Sequence, residues 1–257
     1  MSGQSADKGG APEKLRLNAD AVRRVAEGRH ADQSPVRRFI RQNRPALGAL
    51  AVSVMMLLVF LIGDPQVFTS WNVYRAVLIG LPVVIFVVVP LVYVVTVGEI
   101  DLSFPATIGM TGWVFALVVQ AGYDPFLGLL AAMATGIFLG LCVGWLVVYA
   151  NLSSLIATLG MNFMLRGLIQ IRTEGKSIAL PGLPDSLAHK IFAAQYFGVP
   201  VSAFWVVVFV VVCSLVYNRH RFGLRVHVVG DNPDAAQQMG INIRRVRLLT
   251  FAFVGFG

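Results

Sequence analysis

Long charge-free apolar stretches recur along this chain at lengths that suit a bilayer better than a single soluble core. Ala46 to Ile62, Ala76 to Val97, Leu102 to Ala121 and Pro125 to Ala150 each lack charged residues. Each is near or above the roughly 17–25 residues needed to cross about 30 Å of hydrocarbon. A fifth span, Leu152 to Ile171, is interrupted by Asn162 and Arg166. A sixth runs from Val201 to Tyr217, and a seventh starts near Val246 and is cut off at Gly257. Backbone N–H and C=O groups have no water partners inside lipid, so these spans are expected to be helices. The predicted fold is therefore all-α: a polytopic transmembrane bundle of about six complete spans plus a truncated seventh. Apolar residues make up 56% of the chain and charged residues 13%, a balance that soluble domains of this size rarely reach.

The distribution of positive charge predicts orientation. Of 21 Lys and Arg, Lys8, Lys14, Arg16, Arg23, Arg24, Arg29, Arg37, Arg38, Arg41 and Arg44 precede the first span. Arg219, Arg221, Arg225, Arg244, Arg245 and Arg247 follow the sixth. An even number of crossings puts both clusters on one side, which the positive-inside rule makes cytoplasmic. The formal net charge of +8 thus reflects topology and attraction to anionic membrane lipids, and it gives no basic face suited to nucleic acid. Residues 1–44 read as a separate basic, largely disordered cytoplasmic segment and 45–257 as the membrane domain. The first apolar run lies too far in for a signal peptide, so the first span is expected to remain in the protein.

Between the sixth and seventh spans lies a polar, basic island, FGLRVHVVGDNPDAAQQMGINIRRVR, from Phe222 to Arg247. It contains a short helix with marked ends. Asn232 suits the N-cap and Pro233 the first helical position. Asp234 complements the positive end of the helix dipole, and Gly240 can take the left-handed conformation that stops the helix. About two turns, roughly 10 Å, cannot persist alone in water. This helix must rest on something, and Ala235, Ala236 and Met239 are expected to supply contact surface. On caps alone, a helix that merely links two spans is the simpler reading.

Polar residues inside or between spans are the other candidates. Gly98, Glu99, Asp101 and Ser103 place two carboxylates between long apolar runs, with Pro82, Pro90 and Pro105 nearby as helix breakers. Either these residues form a boundary loop at the membrane surface, or Asp101 tethers a discontinuous helix beside a translocation path. Thr158, Asn162 and Arg166 share one helical face at four-residue spacing. They line a cavity, pair with Glu99 or Asp101, or pack helices through hydrogen bonds; Arg166 is the costliest to bury. Gly136, Gly140 and Gly144 fit close helix approach. Cys142 and Cys213 fall in apolar spans and read as small hydrophobes. The sequence offers no metal-ligand set, no cofactor motif, no catalytic constellation and no nucleotide-binding glycine loop, so any ATP must be bound by another subunit.

Three ordered segments carry a resemblance. RFGLRVHVVGDNPDAAQQMGINIRRVRLLTF resembles the cytoplasmic coupling loop of ribose-type permeases, the membrane subunits of bacterial ABC importers. VGEIDLSFPATIGMTG at 97–112 is similar to that family's GGIDLS segment, and NLSSLIATLGMNFMLRGLIQIRTEGKSI at 151–178 to its TLG and RGL segment. Glu99 stands where the family has glycine, and Phe104 and Pro105 where it has small residues. Family members continue for several more helices beyond the position of Gly257, so the chain is expected to be C-terminally incomplete relative to them. The resemblance implies an inner-membrane permease subunit importing a sugar or similar small polar solute. Its partners would be a cytoplasmic ATPase docked on Asn232, Asp234, Ala235, Ala236 and Gly240, a periplasmic solute-binding protein and a second permease subunit. It also favours the tether reading of Asp101, with Ser103 capping the next helix. The alternative is an ion-coupled secondary transporter using Glu99 and Asp101, although no inverted repeat supports it.

Overall fold

The computed structural model describes residues 39–40, 43–196 and 198–257. Most of the basic segment expected at 1–44 lies outside the described residues. The chain divides into two compact units, Met1–Ser70 and Trp71–Gly257.

In the first unit, α1 (Arg44–Gly63) starts with Pro45 in its first turn and buries no residue. A helix apolar on all sides is suited to lipid contact around its whole circumference. Asp64 ends it and caps α2 (Pro65–Phe68), its carboxylate accepting from Val67 N–H at 3.2 Å.

The second unit begins with α3 (Trp71–Thr96), 26 residues long and so about 39 Å at 1.5 Å per residue. Pro82 and Pro90 lie inside this helix and on its buried side, which corrects the expectation that they break it. Only Pro105 works at a boundary, in the first turn of α4 (Phe104–Gln120). Then come α5 (Pro125–Val148), capped by the Asp124 carboxylate on Phe126 N–H at 2.7 Å, and α6 (Ser154–Thr173). A one-turn 3-10 helix (Leu183–Asp185), α7 (Leu187–Phe192) and the two-residue strands β1 (Gln195–Tyr196) and β2 (Val199–Pro200) follow. The strands pair antiparallel with Tyr196 opposite Val199. The chain continues through α8 (Val201–Arg219), α9 (Arg221–Asp231), α10 (Pro233–Gln238) and α11 (Ile243–Phe256). Five helices, α1, α3, α5, α6 and α8, are long and apolar enough to cross a membrane. The apolar α4 is shorter, at 17 residues, and α11 has 14.

The glycine stripe of α5 is where the unit packs most tightly. Gly136 lies against the Gly255 carbonyl, Gly140 against the Phe251 carbonyl and Gly144 against Leu248, all on α11. Side chains there would hold the two backbones apart, so glycine permits the approach. A β-carbon on Gly140 would sit 3.1 Å from the Ala252 Cα and closer still to the Phe251 carbonyl oxygen. Gly140→Ala is therefore expected to cost about 3 kcal/mol, the upper end of the overpacking range, because the atoms in the way are backbone and the two helices must move apart. A lowered melting temperature in detergent checks this.

Two apolar clusters result. One joins α3 to α6 with α11 through Val94, Met110, Val143, Leu165 and Phe251. The other gathers Tyr93, Val97, Val226, Val229, Ala236 and Val246 around the start of α11. Helix α9 was not expected, because its segment reads as part of a polar island. Its Gly223, Val226 and Val229 are buried, and Gly230 presses against the Thr96 carbonyl. These four make a narrow apolar face at three- and four-residue spacing, which its charged residues mask in composition.

Candidate functional site

Helix α10 has the predicted ends. The Asn232 side-chain oxygen Oδ1 accepts from Ala235 N–H at 3.0 Å, Pro233 opens the helix, and Asp234 occupies its first turn. Gly240 has φ +74° with open space around its α-carbon, so backbone conformation and not crowding calls for glycine there. The orientation of α10 corrects the sequence reading. Ala236 is wholly buried against α9, α11 and the end of α3, so it anchors the helix and is not contact surface. Ala235 is half-buried, and Asp234, Gln237, Gln238 and Met239 are exposed.

The α3–α4 loop forms a polar junction with α6 and α11. Gly98, at φ +83°, turns the chain out of α3, and Glu99 N–H returns to the Val94 carbonyl at 3.0 Å. Ile100 N–H donates to Ser154 Oγ at 3.2 Å. The Leu102 carbonyl accepts from Asn162 Nδ2 at 2.5 Å. Glu99 Oε1 meets Arg247 Nη1 of α11 at 3.1 Å. The loop is thus fastened to α6 by two hydrogen bonds and to α11 by an ion pair.

Asp101 is 5% exposed, and its Oδ1 accepts from both the backbone N–H of Ser103, at 2.7 Å, and the Ser103 hydroxyl, at 2.6 Å. Ser103 stands at the N-cap position of α4 but makes no side-chain cap; its hydroxyl is committed to Asp101, which corrects the expected capping role. Burial pushes the Asp101 carboxyl above its ordinary value, partly offset by these two bonds.

The three polar residues of α6 separate in role. Thr158 is buried and bonds the Ser154 carbonyl of its own helix at 2.7 Å, a packing arrangement. Asn162 joins the junction. Arg166 is exposed and pairs with neither carboxylate, contrary to its weight in the sequence reading; Arg247 takes Glu99. Arg247 escaped notice as a site residue because it reads as one of several orientation-setting arginines. Ser154 gave no signal beyond helix-start chemistry.

The α3–α4 and α5–α6 connections and the α8–α11 segment share one end. Glu99 meets Arg247, Ile100 meets Ser154, Gly230 meets Thr96, and the Arg244 guanidinium lies 6.0 Å from the Tyr149 ring centre. Away from this junction, a cavity of about 670 Å³ opens among α3, α4, α5, α8 and α11. Phe86, Phe104, Thr107, Trp205, Phe209 and Phe256 are among its lining residues. None of Gly98, Glu99, Asp101, Ser103, Thr158, Asn162 and Arg166 lines it; of these, Glu99 reaches α11 and Asn162 reaches the α3–α4 loop.

Long apolar helices, with a polar junction between three of them and a short capped helix packed on the neighbouring apolar cluster, are the architecture of a polytopic helical membrane protein. Residues 73–257 match the family described as the branched-chain amino acid transport system / permease component, and the chain belongs to that family. It is similar to the autoinducer 2 import system permease protein LsrC of Salmonella typhi, 28% identical over 218 residues, covering 85% of this chain and 61% of that protein. The ribose import permease protein RbsC of Bacillus subtilis (strain 168) is 29% identical over 164 residues, 63% of this chain and 50% of that one. The D-allose transport system permease protein AlsC of Escherichia coli (strain K12) is 27% identical over 212 residues, 81% and 63% respectively. These relatives agree with the ribose-type resemblance, and the chain spans 50 to 63% of their length. No solved structure matches the chain.

Proposed function

We propose that this chain is the membrane-spanning permease subunit of an ATP-driven importer that carries a sugar or similar small polar solute into the cytoplasm. The observation that carries this reading is α10: a helix too short to stand alone, anchored by Ala236 in the apolar cluster of Tyr93, Val97, Val226, Val229 and Val246, with Asp234, Gln237, Gln238 and Met239 exposed. Family membership supports importer over secondary transporter, and the names of the relatives point to sugar-like solutes. A cytoplasmic ATPase docks on α10, a periplasmic solute-binding protein delivers the solute, and a second permease subunit, identical or not, completes the pathway. The protein sits in the inner membrane with its basic N-terminal segment, residues 1–44, in the cytoplasm. Residues 45–257 form the permease domain, in contact with membrane lipids. ATP is hydrolysed in the ATPase, and this subunit converts its closure into alternating access.

Vesicles carrying the permease with its ATPase and binding protein are expected to accumulate labelled monosaccharide only with ATP. Ionophores that collapse proton and sodium gradients should leave uptake unchanged. Uptake that persists without ATP and stops with the ionophores assigns the chain to the ion-coupled class instead.

A further inference from the structure

The geometry points to Glu99 and Arg247 as a positioning pair that carries motion of α10 into the bundle, tying the α3–α4 loop to the first turns of α11. This assignment rests on the permease reading above. Between α10 and Arg247 the chain is short and well fixed. Ile241 N–H bonds the Ala236 carbonyl at 3.0 Å, and Asn242 caps α11 through Arg245 N–H at 3.0 Å. A push on α10 therefore displaces the start of α11, and Arg247 with it. On the other side of the pair, Glu99 is followed directly by Ile100 and Leu102, whose backbone groups hold Ser154 and Asn162 of α6. The ion pair is the direct polar contact between these two chains of connections.

The fold does not depend on this pair for its assembly. The loop keeps its two bonds to α6 without it, and α11 keeps its glycine contacts with α5. Water is largely kept away, since the side chains of Glu99 and Arg247 are 11% and 33% exposed. Partial burial strengthens the attraction and weakens salt screening. The contact is also incomplete. Arg247 touches Glu99 through one terminal nitrogen, while its Nε is buried with no partner among the described residues. A guanidinium can engage a carboxylate through two parallel N–H groups, and a buried unpaired donor is unfavourable. A small advance of α11 toward the loop would let Nε and a terminal nitrogen share the two Glu99 oxygens. The pair thus has two arrangements, loose as seen here and forked when α11 moves, as a contact must have to transmit a change of state.

The test measures solute imported per ATP hydrolysed by the complete complex in proteoliposomes. It compares wild type, Glu99→Gln, Arg247→Gln, Arg247→Lys and the charge exchange Glu99→Arg with Arg247→Glu. Both glutamine variants are expected to lower the ratio by about fivefold or more, with ATP hydrolysis continuing. The charge exchange is expected to recover most of it. Arg247→Lys keeps charge and stem without Nε, and its ratio should fall below wild type even if the glutamine variants accumulate poorly. ATP-dependent import with a wild-type ratio in the single variants, or a charge exchange no better than the singles, overturns the pair alone. Wild-type import independent of ATP overturns the permease reading, and the pair's role with it.

Discussion

Ala236→Arg is expected to lower stability by about 3–5 kcal/mol, the scale on which an uncompensated charge in a buried site is felt. The residue is fully buried among Tyr93, Val97, Val226, Val229 and Val246. An arginine there must displace α10 from this apolar cluster or leave its charge without water. Gln238→Arg, two residues along on the opposite, exposed side of the helix, should change stability by no more than about 0.5 kcal/mol. Melting of the detergent-solubilised protein separates the two. Equal melting temperatures for Ala236→Arg and wild type would mean that α10 does not rest where the structure places it.

Asp101→Ala should cost about 2–3 kcal/mol, because it leaves the Ser103 N–H and hydroxyl without their acceptor in a closed site. Asp101→Asn keeps an acceptor and should cost less than the alanine variant. Solute uptake is expected to fall in both. The two also differ in their response to pH. Burial raises the folded-state value of Asp101 above the ordinary 3.8, so the folded state holds this proton more firmly than the unfolded chain does. The contribution is complete below 3.8 and is lost as pH rises through the raised value. Asparagine has no such proton, so between wild type and Asp101→Asn the wild type should lose more stability on going from acid toward neutral pH. Wild-type stability and uptake for Asp101→Ala would return this residue to an ordinary surface loop.

Local chemistry makes part of this site legible in the amino-acid sequence. Asn232, Pro233 and Gly240 mark the ends of α10 through side-chain and backbone preferences that act within a few residues. The apolar runs announce the spans because bilayer thickness fixes their length. Glycines at positions 136, 140 and 144 announce a close helix approach but not its partner, since α11 lies far along the chain. What could not be read is set by tertiary geometry. Glu99 finds Arg247 and not Arg166 because the start of α11 is brought over the loop. Ala236 faces inward because α9 and α11 enclose it, and Ser103 forgoes capping because Asp101 competes for its hydroxyl. Pro82 and Pro90 continue α3 because helix-breaking tendency is weaker than the demand for continuous helix across a span.

Photo-crosslinking in the intact membrane complex tests the central claim most directly, with the probe placed at Gln237 on the outward side of α10 or at Asp185 in the segment between α6 and α8, both exposed. The account predicts that Gln237 captures the ATPase and that Asp185 does not. Capture of the ATPase from Asp185, with none from Gln237, would contradict both the docking site and the orientation.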